Sequence, residues 1–231
     1  MNHYKTVSIL IQARSTSTRF PGKIFEKIGH KSILDHVLDA CYNSASYINK
    51  YTSKNGIVCG VAIVAPYDDI LIKKYSKHLI IEGPEDDVLS RFVIAADKLL
   101  SDYVVRITAD CPFIPPYAIS KMIGISVNDN LDYLTNADPV HRTSPDGHDI
   151  QILSKDALKW LHENSKESIH REHVCTYLEK TQNNLKTANI IGFADYSNLK
   201  FSVDTKEDLN NLSSMYTKIY QSVNAKRSYR L

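Results

Sequence analysis

Cysteine is sparse. The 231 residues include Cys41, Cys59, Cys111 and Cys175, too far apart to form a C-x-x-C pair. That spacing excludes the usual zinc ribbon and redox dithiol, and four scattered thiols do not make a disulfide scaffold. The expectation is reduced thiols in a cytoplasmic protein. Charge of one sign is missing too. A net charge of +2 creates no global field for DNA or RNA, so any basic function must be local. No apolar run approaches the length of a membrane span. The short run behind Met1 lacks both the length and the cleavage site of a secretory signal. Internal repeats and low-complexity tracts are absent. So are the familiar glycine-built phosphate loops. Gly22-Lys23 is followed by Ile24, with serine rather than glycine at position 17, which breaks the Walker pattern, and no G-x-G-x-x-G occurs. H-E-x-x-H and D-x-D are absent as well.

What the chain does contain is alternation. Val7–Ile11 is a β-rich run, followed at helical spacing by Ile33, Leu34, Val37, Leu38 and Cys41. Val58–Val64 is a second β run, with Pro66 and Asp68 opening a short helix, and Leu79–Ile81 a third. Glu85–Leu100 reads as an amphipathic helix, Tyr103–Thr108 as a fourth strand, and Pro115 or Pro116 suits the first turn of the next helix. Strand and helix in this rhythm predict an α/β fold with a mostly parallel sheet covered on both faces. Further on, Asp132–Asn136 and Asp149–Leu153 read as strands. Ser154 reads as the N-cap of a helix carrying Ala157, Leu158 and Leu161. Ile169–Leu178 reads as a helix, Leu199–Val203 as a late strand, and Leu209 to Ile219 as a C-terminal helix. The polar stretches Asn43–Gly56 and Ala137–Gly147 read as flexible. The expectation is one domain with a smaller inserted or appended portion.

Ligands of open α/β sheets bind beyond the carboxyl ends of the strands. There the chain places "IQARSTSTRFPGK", three cations among four hydroxyls. Arg14, Arg19 and Lys23 suit a polyphosphate, with Gly22 permitting close backbone approach. A solvated loop with incidental cations is the plain alternative. Asp110 ends one strand and Asp204 another. They read either as a turn aspartate before Pro112 and a helix-start residue, or as ligands of a hard cation such as Mg²⁺. Asp87 and Arg91, four apart, suit a pair on one helical face. Arg106, inside a strand, is a pocket group or an edge residue.

Six segments in order, "IQARSTSTRFPGK", "EDDVLSRF", "VRITADCPFIPP", "RTSPDGHDIQIL", "REHVCTYL" and "LKFSVDTKEDL", resemble the cytidylyltransferases that make CMP-activated sugar acids. These include the 3-deoxy-manno-octulosonate and acylneuraminate cytidylyltransferases, and the spore-coat polysaccharide biosynthesis branch is the most similar. The resemblance covers nearly the whole chain. It implies a glycosyltransferase-A-like nucleotide-binding fold, with residues 1–231 forming a single domain and a smaller acceptor or dimerisation portion around 132–195. It implies attack by an acceptor oxygen on the α-phosphorus of CTP, with pyrophosphate leaving, in surface polysaccharide synthesis. Arg14, Arg19 and Lys23 would hold the triphosphate as the catalytic cations, and Asp110 and Asp204 would bind Mg²⁺. Gln12, Ala13, Gly22, Asp87, Arg91 and Arg106 would border the nucleotide. Arg142, Asp146, His148, Gln151, Glu172 and His173 would line the pocket of an acidic acceptor. A homodimer without nucleic-acid partner is implied. Three residues depart from the family pattern: Ala109 where glycine is usual, Gln151 where glutamate is common, and His148 where an apolar residue is common. The last two bear on the acceptor rather than the reaction. A non-catalytic nucleotide-binding protein of the same fold is the alternative. A glycosyltransferase using a nucleotide sugar is a third reading, against which the missing D-x-D counts.

Overall fold

The computed structural model describes residues 4–52 and 56–228, the last of them, from 220 on, by backbone alone. Its centre is strand β1, Lys5–Gln12, whose side chains alternate between two cores. Val7, Ile9 and Ile11 face one apolar cluster and Leu10 the other. A short hairpin follows, β2 (Lys27–Ile28) and β3 (Lys31–Ser32), and then helix α1, Ile33–Tyr51. Ser32 and Asp35 form a reciprocal capping box at its start. Strand β4, Ile57–Pro66, pairs parallel to β1; helix α2, Ile70–Lys74, leads to β5, Ile80–Gly83, parallel to β4. Helix α3, Val88–Lys98, returns the chain to β6, Tyr103–Thr108, on the opposite side of β1. The crossover direction thus reverses between β1 and β6, and the crevice beyond Gln12 and Thr108 is the topological switch point where such sheets bind ligands.

Helix α4, Pro116–Asn128, carries proline at its first position, as expected. Strands β7 (Tyr133–Thr135), β8 (Gln151–Ser154) and β9 (Thr187–Asn189) then extend the sheet to seven strands in the order β5-β4-β1-β6-β8-β7-β9. Only β8 runs against its neighbours, pairing Arg106 with Gln151. Ser154 caps helix α5, Lys155–Asn164, through a hydrogen bond from Ala157 N. Helices α6 (Ser168–His173), α7 (Thr176–Lys180) and α8 (Lys206–Ser228) complete the described chain. Under α8, Leu209 and Leu212 close a third cluster with Ile28, Ile33 and Val203.

Several expectations are corrected. Most of Asn43–Gly56 is not a flexible stretch: residues 43–51 continue α1, with Ser44, Ala45 and Ile48 buried; residues 53–55 lie outside the described chain. Asn49 bonds Cys59 in both directions, N–H to Oδ1 at 2.8 Å and Nδ2 to the carbonyl at 2.8 Å, which ties the helix to β4. Helix α3 starts at Val88, because Asp87 turns its carboxylate back onto Ser90 N as the N-cap. Helix α2 starts after Asp69, which accepts from Leu71 N, rather than at Pro66 or Asp68. The segment Ile169–Leu178 is two helices, broken where Val174 takes φ 56°. Residues 199–203 form no strand. They make a single bridge, Lys200 to Asp146, and the strand β9 at the sheet's edge is instead the last one in sequence.

Candidate active site

The basic loop is fastened at both ends. Ala13 N still bonds Val64 O at 3.1 Å, after which Ser15 N is held by Asp69 Oδ2 at 2.8 Å and Thr16 Oγ1 by Glu85 Oε1 at 2.7 Å. Gly22 N closes the loop on Ser15 O at 2.9 Å. Gly22 sits at φ 72°, a left-handed conformation that side chains other than glycine disfavour, and it launches a tight turn at Lys23. Asp69 is an anchor outside every motif, and Glu85 is the first residue of the segment "EDDVLSRF".

Lys23 is buried, and its ammonium donates to Val203 O at 2.6 Å, Asp110 Oδ2 at 2.7 Å and Asp204 Oδ1 at 3.2 Å. Three protons meet three acceptors. The aspartates, far apart in sequence, are joined by the backbone as well, for Val203 N bonds Asp110 O at 2.9 Å. Gly147 makes this approach possible. It has φ 93°, and a Cβ there would stand 2.5 Å from the backbone of Phe201 and Ser202. Asp204 is not needed to start α8. Thr205 and Asp208 form that capping box themselves, Asp208 N to Thr205 Oγ1 at 3.2 Å and Thr205 N to Asp208 Oδ2 at 2.9 Å. The Asp204 carboxylate instead meets Arg19 at 3.0 Å and Lys200 at 3.2 Å. Burial pushes its pKa up, but Lys23 and Lys200 outweigh that and hold it below the usual carboxylate range.

Above these groups opens a cavity of about 310 Å³ whose lining includes Gln12, Arg14, Arg19, Lys23, Asp110 and Asp204. Glu172 and His173 form its far wall, and Glu172 reaches Arg14 at 3.6 Å. Ser17, Thr18, Thr108 and Ala109 complete the wall nearest the loop; Thr108 was not singled out in the sequence, although it ends β6 at the switch point. Behind Arg14 lies Arg91, 1 % exposed, with Nε and Nη1 lacking any hydrogen-bond partner. Its pKa falls to about 10, first through burial and next through the charge of Arg14. Two guanidinium groups repelling one another beside an open cavity is an arrangement that an anion relieves.

The other expected residues are distributed differently. Asp87 does not pair with Arg91. It binds Arg171, Nη2 to Oδ2 at 2.5 Å and Nε at 3.0 Å, because capping α3 turns it toward α6. Arg142 grips Asp149 with both terminal nitrogens, at 2.5 and 3.2 Å, and also donates to Ser144 O and Pro145 O. Asp146 accepts from Ser202 Oγ at 2.7 Å. His148 stacks on Phe201 with ring centroids 5.0 Å apart, and burial lowers its pKa. Arg106 donates to Gln12 and Gln151 and, with Gln151, stands outside the lining of this cavity. All four cysteines are free and buried, and burial raises their pKa; no helix among the described residues is long and apolar enough to cross a membrane.

A parallel sheet whose switch point opens into a cavity of cations over two convergent aspartates is the framework of an α/β nucleotidyltransferase. Residues 8–226 match the family model described as cytidylyltransferase, and the chain belongs to that family. It is 26% identical to the spore coat polysaccharide biosynthesis protein SpsF of Bacillus subtilis, over 92% of this chain and 87% of that protein. It is 24% identical to the 3-deoxy-manno-octulosonate cytidylyltransferase of Rickettsia felis, over 94% of this chain and 97% of the other. The solved structure of a cytidylyltransferase from Leptospira borgpetersenii superposes with a TM-score of 0.79 at 26% identity, covering 98% of this chain and 96% of that one. The mostly parallel, helix-flanked sheet expected from the sequence is therefore the fold of this family.

Proposed function

We propose that this cytidylyltransferase transfers CMP from CTP to a hydroxyl of an acidic sugar or related acceptor, releasing pyrophosphate, on a route to a surface polysaccharide. The observation that carries the reading is the convergence of Arg14, Arg19 and Lys23 on one cavity with Asp110 and Asp204 at its floor. The names of the SpsF and octulosonate relatives support the acceptor class and the polysaccharide role. CTP is a cytoplasmic metabolite, so the reaction is placed in that compartment.

In this reading the acceptor oxygen bonds to the α-phosphorus while the bond to the bridging oxygen of the β-phosphate breaks. The hydroxyl proton passes to His173 or Glu172, the bases on the far wall. Arg14 and Arg19 hold the β- and γ-phosphates and meet the charge that grows on pyrophosphate as it leaves. The backbone N–H groups and hydroxyls of residues 15–18 fit between the phosphates.

A divalent cation suits the donor set. Asp110 Oδ2 and Asp204 Oδ1 already share one cation, the Lys23 ammonium. Among the described residues no third acidic, histidine or cysteine side chain joins them. Two carboxylates completed by phosphate oxygens and water is the arrangement Mg²⁺ favours. Such an ion would neutralise the α-phosphate and acidify the acceptor hydroxyl. The portion around residues 132–195 would supply the acceptor wall. The exposed Ile191, Phe193, Tyr196 and Leu199 at its end would serve a homodimer contact.

A pyrophosphate-release assay with each of the four nucleoside triphosphates, Mg²⁺ and a panel of acidic sugars tests the reading. Release is expected with CTP alone and only when an acidic acceptor is present. CTP binding without pyrophosphate release from any acceptor would reduce the protein to its non-catalytic alternative.

A further inference from the structure

A ladder of side chains separates the nucleotide cavity from a second one. Arg106 Nε donates to Gln12 Oε1 at 2.9 Å, and its Nη1 donates to Gln151 Oε1 at 2.6 Å. Gln151 Nε2 donates onward to the Tyr133 hydroxyl at 3.0 Å and to Glu179 Oε1 at 3.2 Å, and the Tyr133 hydroxyl donates to the same oxygen at 2.6 Å. Gln12 lines the first cavity; Tyr133 and Glu179 line the second, of about 400 Å³, between β7, β9 and the chain after α7.

The direction of these bonds fixes the Gln151 amide. A carboxylate only accepts, so the nitrogen must face Glu179 and the oxygen must face Arg106. Gln151 is buried and thus stands as a neutral spacer between a cation and the anion that would otherwise pair with it. The other nearby carboxylate, Asp149, is committed to Arg142. Arg106 is left with two amide oxygens as partners and, among the described residues, no carboxylate on its fork and no acceptor on Nη2. It is only partly exposed, inside β6 two residues before Thr108, which lines the first cavity. With no carboxylate hydrogen-bonded to it, the planar Nη1–Nη2 fork matches an oxyanion in two-point contact.

We propose that Arg106, held in plane by Gln12 and kept uncompensated by Gln151, binds the carboxylate of the acceptor. It thereby selects an anionic acceptor, and Gln151 sets that selectivity. The proposal rests on the function given above. It assigns Arg106 to the acceptor side of the pocket and not to the nucleotide.

The test moves the charge without removing the arginine. In the double variant Gln151→Glu with Glu179→Gln the total charge and the number of ladder groups are kept, but a carboxylate now faces Arg106. Steady-state kinetics would be measured with CTP and Mg²⁺ against 3-deoxy-manno-octulosonate, N-acetylneuraminate and glycerol 3-phosphate. CTP affinity would be measured separately by calorimetry without acceptor. The double variant and Arg106→Met should each raise the KM for a sugar acid about 10- to 100-fold, with CTP affinity within about twofold of wild type. Arg106→Lys should recover part of the loss. An unchanged acceptor KM in the folded double variant overturns the proposal, as does a fall in CTP affinity that tracks it. If glycerol 3-phosphate alone shows the effect, the carboxylate assignment is overturned in favour of a phosphate. A wild type that binds CTP but none of the three anions also overturns it; failure to bind CTP at all would overturn the proposed function instead.

Discussion

Lys23 and Asp204 show how much one side chain's partners constrain its role. The ammonium has a proton for each of Val203 O, Asp110 Oδ2 and Asp204 Oδ1, so it has none left for a phosphate until one partner lets go. Asp204→Asn separates site from scaffold, because Thr205 and Asp208 already cap α8. Turnover should drop on the order of 100-fold or more, while stability falls by about 1 kcal/mol or less. Pyrophosphate release and a urea melt of the same variant would read the two effects, and wild-type turnover would return Asp204 to a purely structural role. The chemistry of these residues is legible without the structure: an aspartate at the end of β6, an aspartate after an apolar run and a cationic loop are local features. Their meeting was implied only by the family resemblance; physically, Gly147 and the chain at 199–203 bring Asp204 to Asp110 through contacts between distant segments.

Among the elements, the wall carrying Glu172 and His173 is tied to its neighbours through Arg171. Arg171 joins α6 to α3 through Asp87 and Ser90 Oγ at 2.8 Å, and to α5 through His162 O at 3.1 Å. Val174, fully buried, then turns with φ 56°, a conformation that costs a β-branched residue about 1–3 kcal/mol and persists only where packing enforces it. Arg171→Ala should destabilise the protein by about 2 kcal/mol, seen as a lower urea midpoint. An unchanged midpoint would show that apolar packing at Val174 and Cys175 suffices. Helical periodicity across Ile169–Leu178 could not reveal the break, because the apolar spacing is compatible with one continuous helix. The polar look of Asn43–Gly56 misled in the opposite way. Ser44 and Asn49 are polar, yet one is buried against Ser120 and the other bonds Cys59, so that face of α1 is interior despite its composition. The late strand failed because residues 199–203 bond the 146 loop rather than a sheet edge.

For the whole molecule the clearest collective property is the response to acid. Burial lowers the pKa of His148 and of His78 from 6.5, so the unfolded chain takes up their protons first and stability begins to fall as pH drops through about 6.5. Asp87, Asp204 and Asp208 are depressed below 3.8, Asp208 to about 2, despite burial, by Arg171, by Lys23 and by Lys200 with its neighbours. Their contribution is present above 3.8 and is lost as pH falls through the lower folded values. Asp149, raised by burial, works in the opposite sense and softens the second step. Thermal unfolding followed from pH 8 to pH 3 should therefore show a Tm that declines in two stages. A Tm that is flat between pH 7 and pH 5 would remove the histidine contribution. The sequence by itself determined the layered α/β class, the strands β1, β4 and β6, the cap at Ser154, and the cationic character of the opening loop. Each of these follows from periodicity or residue chemistry within a few neighbours. Only the tertiary structure decided the switch point between β1 and β6, the convergence of Lys23 with both aspartates, the redirection of Asp87 to Arg171, and the neutral spacer between Arg106 and Glu179. Those depend on which distant segments share a face, and a pairing between segments far apart in sequence leaves no periodic trace in the chain.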